Sequence, residues 1–97
     1  MAAYVIAEVD VTDPEAYKPY TAAVPATIAQ YGGRFLVRGG AAEVLEGEWP
    51  PLRRVIIEFP SVEAARAWWD SPEYELPRSM RRAASNGRLI LLEGFDG

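Results

Sequence analysis

Tyr4-Val5-Ile6-Ala7-Glu8-Val9 and Arg54-Val55-Ile56-Ile57-Glu58-Phe59 decide how this chain folds. Each run is apolar and β-rich, carries a glutamate in its fifth place, and leads into a helix start. Alternation from Tyr4 to Val11 and β-branched content from Arg53 to Phe59 specify two strands. After the first comes Asp13-Pro14-Glu15: a capping carboxylate, a proline at the first helical position and an acid in the first turn. After the second comes Ser61 as cap, followed by Ala64, Ala65, Trp68 and Trp69 as the apolar bulk of another helix.

Working outward, Tyr17, Tyr20 or Thr21, Val24 and Ile28 recur at helical spacing and should face a core. Pro19 and Pro25 lie inside that pattern, so a kinked or two-piece helix is expected, ended by Gly32-Gly33. Arg34 to Arg38 is a further strand, with a bulge or bend at Gly39-Gly40 before the chain runs on through Glu43 to Glu46. Trp49-Pro50-Pro51 forms a turn. Ser71-Pro72-Glu73 starts a short third helix, Asn86-Gly87 ends it, and Arg88 to Glu93 is the last strand. The order βαββαβ makes two split βαβ halves. That is an α+β, ferredoxin-like arrangement: a four-stranded antiparallel sheet with helices on one face, and residues 1–97 form a single domain.

The sequence contains no histidine and no cysteine. Disulfides, thiolate nucleophiles, histidine triads and the usual transition-metal sites are thereby excluded, and neither a metal nor a cofactor is expected. A net charge of −4 disfavours nucleic acid as a partner. No apolar run reaches the ~20 residues of a membrane span, and the expected location is cytoplasmic. Arg78, Arg81 and Arg82 share a helix face and read as a solvated basic stretch, with docking of an acidic partner as the weaker alternative.

Strand alternation separates two faces. Val5, Ala7, Val9, Phe35, Val37, Val55, Ile57 and Phe59 are wholly apolar and should pack under the helices. The opposite set includes Tyr4, Ile6, Glu8, Arg34, Leu36, Arg38, Arg54, Ile56, Glu58, Ile90 and Leu92, mixing apolar residues with charges. A solvent face seldom needs so many aliphatic residues, whereas a face that meets a second copy does, so a homodimer is expected. Glu58 should lie toward Arg34 and Arg38, and Glu8 toward Arg54. Two readings of these charges stand. In one they are ion pairs that fix dimer register, with Trp49 rigidifying a nearby hairpin tip. In the other they line a ligand cavity in which Arg38 and Arg34 hold an anion or carbonyl and Glu58 moves a proton. Tyr17 reads first as a helix-to-sheet core contact and second as a ligand contact. Of Trp68 and Trp69 one belongs to the core and the other to an edge, and Trp68 is a candidate pocket wall.

Asp13-Pro14-Glu15 with Tyr17, Val24-Pro25, Tyr31-Gly32-Gly33-Arg34-Phe35, Val37-Arg38-Gly39-Gly40, Glu58-Phe59-Pro60-Ser61 and Ser71-Pro72-Glu73-Tyr74 occur in order along nearly the whole chain. Together they resemble the domain of unknown function 1330 family of the dimeric α+β barrel superfamily. The resemblance implies a ferredoxin-like subunit whose sheet closes a barrel with that of a second copy. Cofactor-free monooxygenases, a muconolactone isomerase, stress-responsive barrel proteins and haem enzymes belong to the same superfamily, and the family itself has no settled reaction. The functional expectation is a homodimer that binds a small organic molecule, with cofactor-free proton transfer as one outcome and a non-catalytic dimerisation module as the other.

Overall fold

In the computed structural model, which describes residues 1–95, seven elements follow one another. They are β1 (Ala3–Val11), α1 (Pro14–Gln30), β2 (Arg34–Arg38), β3 (Arg53–Phe59), α2 (Val62–Trp69), α3 (Pro72–Ala84) and β4 (Ser85–Glu93). The strands form one antiparallel sheet in the order β2-β3-β1-β4, the ferredoxin-like arrangement expected from the βαββαβ order. Alternation acts as the sequence requires: Val5, Ala7, Val9, Val55, Ile57 and Phe59 point into the core, where Tyr17, Val24, Ile28, Trp68 and Tyr74 meet them. Phe59, Trp68 and Tyr74 are almost wholly buried. Each large apolar side chain so buried contributes about 1.5–3 kcal/mol relative to exposure. The cap residues are in place, with Asp13, Ser61 and Ser71 accepting from the backbone N–H of Ala16, Ala64 and Tyr74.

Four local expectations are corrected. First, α1 is one helix over 17 residues, continuous through Pro19 and Pro25 where two pieces were one of the expected outcomes. Five buried side chains along its inner face (Tyr17, Tyr20, Val24, Thr27 and Ile28) hold it on the sheet and outweigh the prolines. Second, β2 bulges between Phe35 and Val37, earlier than the glycine pair, and the chain beyond it runs through Glu43–Glu46 outside any strand. Phe35 lies opposite Ile57, Val37 opposite Ile56 and Arg38 opposite Val55, leaving Leu36 as the extra residue. One inserted residue reverses the facing of everything after it. Val37 therefore moves to the outer face and Arg38 to the helix side.

Third, α3 runs for 13 residues and β4 begins directly at Ser85, so Asn86 and Gly87 lie within the strand opposite Asp10 and Val9. The last helical carbonyls are satisfied without a loop: Ser85 donates to the Arg81 carbonyl, and the N–H groups of Thr12 and Asp13 donate to that of Ala84. Fourth, Arg81 does not share a solvated face with Arg78 and Arg82. It follows Tyr74 and Pro77 along the inner stripe of α3 and is only 4% exposed.

With all three helices on one side, the Cα trace is 36 × 33 × 16 Å, and the second sheet face carries no helix. Ile90 and Leu92 on it are 56% and 41% exposed.

Candidate functional site

The bulge that turns Arg38 inward delivers it to a cavity beneath α1. Phe35, Arg38, Arg53, Val55 and Ile57 supply its sheet wall, with Ala7, Val9 and Leu89 beyond them. Tyr17, Tyr20, Thr21 and Val24 supply the α1 wall, and Trp68 and Arg81 complete the lining. The innermost space is about 30 Å³, enough for roughly one or two waters, and it continues into a cleft of about 420 Å³ measured out to solvent.

Three arginines therefore line this space, and no acidic side chain does. Among the described residues, none of Arg38, Arg53 and Arg81 forms a salt bridge. Arg81 Nε lies 3.4 Å from the Tyr74 hydroxyl. Arg53 Nε is buried with no hydrogen-bond partner. Arg38 sits at the rim, its guanidinium 4.5 Å from the centre of the Phe35 ring, and its Nη2 donates to the Thr21 carbonyl at 2.5 Å. That carbonyl is free because its helical partner would be the N–H of residue 25, which is proline.

Tyr17 and Tyr20 line the same space. Burial pushes the Tyr17 phenol up, and the nearby charges of Arg53 and Arg81 oppose it. Burial raises the Tyr20 phenol further, helped by the Tyr74 hydroxyl with which it shares a hydrogen bond of 3.1 Å. Trp68 is an aromatic wall, its indole N–H donating to Thr27 Oγ1 at 3.0 Å and its ring 4.2 Å from that of Tyr74. Trp69, half-buried, stacks at the edge.

Glu58 is not in this cavity. It lies on the helix-free sheet face, where Arg34 Nε donates to it at 2.8 Å and the Tyr4 hydroxyl at 3.3 Å. The expected meeting of Glu58 with Arg38 therefore fails, because the bulge places the two on opposite faces. Glu8 and Arg54 do meet, at 3.0 Å, and Arg88 joins them at 2.8 Å through its Nε. Hydrogen bonds from Arg88 first and Arg54 second hold the Glu8 carboxyl below the usual carboxylate range. Arg54 also donates to the carbonyls of Pro50 and Leu52 and lies 5.4 Å from the Trp49 ring centre, tying the 39–52 segment to the sheet. The exposed Trp49 donates to the Glu46 carbonyl at 2.9 Å within that segment.

Arg53 and Arg81 were absent from the sequence-derived site. Arg53 has the strand parity of Val55, Ile57 and Phe59, and Arg81 has the helical spacing of Tyr74 and Pro77. A charge at an inward position was the available signal in both cases. Among the described residues no cluster of acidic residues suits a metal ion, and no helix is long and apolar enough to cross a membrane.

Comparison with known proteins extends the picture. No curated protein matches the sequence. A protein of unknown function from Rhodopseudomonas palustris superposes with a TM-score of 0.79 at 24% identity, over 99% of this chain and 84% of that one. A dimeric ferredoxin-like protein of unknown function from Jannaschia sp. gives 0.73 at 13% identity, over 97% and 100% of the two chains. SnoaB, a cofactor-independent oxygenase from Streptomyces nogalater, gives 0.68 at 17% identity, over 99% and 95%. These likenesses share the fold. The family model for the domain of unknown function DUF1330 matches residues 2–95, so the chain belongs to the DUF1330 family.

Proposed function

We propose that this protein binds a small organic molecule between α1 and the sheet, and that a second copy covers its helix-free sheet face. The observation that carries the binding reading is the cavity itself. It combines apolar and aromatic walls with a few convergent polar groups, the usual make-up of a small-molecule site. The dimeric description of the Jannaschia protein supports self-association, as does the aliphatic surface of the sheet face. The shared fold with a cofactor-independent oxygenase supports chemistry without a bound cofactor as one use of such a cavity. In that case Tyr17, which lines the space, is better placed than Glu58 to exchange a proton with the ligand. Glu58 is then a register residue of the dimer together with Arg34, Glu8, Arg54 and Arg88.

The test is a thermal-shift screen of the purified protein against small carboxylates, phenols and lactones, with Arg38→Ala run beside the wild type. A ligand at about a hundred times its Kd stabilises by ~2.7 kcal/mol, which raises Tm by at least ~10 °C in a domain of this size. A hit that weakens in Arg38→Ala supports the reading. A hit unchanged in Arg38→Ala places binding elsewhere, and a screen with none leaves the dimer module as the function.

A further inference from the structure

Arg38, Arg53 and Arg81 surround one small space with like charge, and the described residues give them no carboxylate partner. Guanidinium groups stay protonated, so titration cannot relieve the repulsion. Of the three, Arg81 is buried, Arg53 is half-buried with its Nε out of reach of water, and Arg38 is exposed, so the cost of unpaired charge falls on Arg81 and on Arg53 Nε. Yet the backbone beside Arg53 is shaped to admit its guanidinium. Gly39 has φ +69°, and a Cβ there would fall 2.3 Å from Arg53 Nη1. A Cβ on Gly87 would fall 3.3 Å from Arg81 Nη1. Gly39 thus leaves room for the Arg53 guanidinium, while Gly87 is closed in equally by Arg81, Val9 and the Glu8 carbonyl, and Arg53 Nε remains buried and unpartnered.

We propose that the cavity takes a small organic carboxylate, its charged end held by Arg53 and Arg81 and its apolar part against Phe35, Val55 and Trp68. This rests on the reading that the helix-side cavity is a ligand site. The planar fork of arginine matches a carboxylate with paired hydrogen bonds. An incoming anion supplies the missing counter-charge, which a neutral molecule cannot do. Arg38 completes the site as its movable member. With no ligand, it rests on the Thr21 carbonyl that Pro25 leaves free, across the rim of a space too small for an organic molecule. With a ligand, it swings off that carbonyl, admits the molecule and pairs with its carboxylate.

Acetate, butyrate and benzoate would be titrated against the full chain at constant ionic strength, beside acetamide, butyramide and benzamide. Inorganic phosphate serves as a second control. The carboxylates are expected to raise Tm by several degrees, benzoate most, and the amides and phosphate to leave it unchanged. In the wild type the Arg53 Nε–Hε resonance should move with benzoate and stay fixed with benzamide, a readout that needs no substitution. Arg53→Met is expected to melt no lower than the wild type without ligand and to lose the carboxylate response. Arg38→Gln, altered at an exposed position, should weaken benzoate about tenfold.

Amides that match the carboxylates would overturn the carboxylate assignment while leaving the cavity as a ligand site. Phosphate that matches benzoate would overturn the organic part. A carboxylate response undiminished in Arg53→Met and Arg38→Gln would place binding elsewhere, and both readings would fall. No response to any carboxylate would overturn the assignment alone, because the wider screen tests the cavity with other chemistry.

Discussion

Glu8 accepts from Arg88 and Arg54 at once, and its carboxyl is held below the ordinary range by those two bonds. A group whose pKa is depressed on folding stabilises the folded state above its unfolded pKa. That contribution is lost as pH falls through the lower, folded value. Wild-type urea midpoints should therefore fall between about pH 5 and pH 3 more steeply than those of Glu8→Gln, the two proteins converging at the acid end. Parallel pH profiles would show that the pairing contributes nothing on folding. At this scale the sequence was partly legible. The Glu8–Arg54 and Glu58–Arg34 pairs follow from strand parity taken with the ferredoxin-like strand order, whereas the Glu58–Arg38 meeting read the same way is undone by the bulge. Arg53 and Arg81 sit at inward positions by parity and spacing, but unpaired arginines ordinarily lie in solvent, so position and charge disagree there.

Among the elements, α1 and β2 carry the departures from expectation, and both shape the cavity. Proline inside a helix removes one hydrogen bond and crowds the preceding turn, at ~3 kcal/mol relative to alanine. Its restriction of the unfolded chain offsets about 1 kcal/mol of that. Pro25→Ala should therefore stabilise the protein by ~2 kcal/mol in urea unfolding. It also gives the Thr21 carbonyl a helical partner that competes with Arg38. A loss of stability would mean that the packing of the Pro25 ring outweighs the restored bond. The helix starts were legible because a cap, a proline and an acid act locally. Continuity through Pro19 and Pro25 was not, since it depends on how well Tyr20, Val24 and Ile28 seat against the sheet. The bulge was hidden for a similar reason: Leu36 and Val37 are both apolar, so neither facing is marked, and Gly39-Gly40 is the more conspicuous signal.

The whole molecule is a sheet with helices on one side only. On the helix-free side Leu36 and Val37 from β2 join Ile90 and Leu92 from β4, with the charged pairs between them. Covering such a face with an identical one buries the aliphatic groups and lets the ion pairs fix the angle between the copies. Sedimentation should find the wild type as a dimer and Ile90→Asp as a monomer that keeps its far-ultraviolet circular dichroism. A monomeric wild type at tens of micromolar would refute the assembly. The fold was legible at this scale because element order restricts topology severely. The location of the ligand site was not, since one inserted residue in β2 decides which face receives Arg38.

The placement of the tryptophans has a practical consequence. Trp68 is sealed against the helix-side cavity, while Trp49 lies 58% exposed beside Arg54 on the opposite side of the sheet. Trp68 will fluoresce at short wavelength and resist acrylamide, whereas Trp49 will emit to the red and be readily quenched. With half-buried Trp69 replaced by phenylalanine, each side of the sheet carries its own native dye, so occupancy beneath the helices and pairing of two copies can be followed separately, by light alone, in a single cuvette.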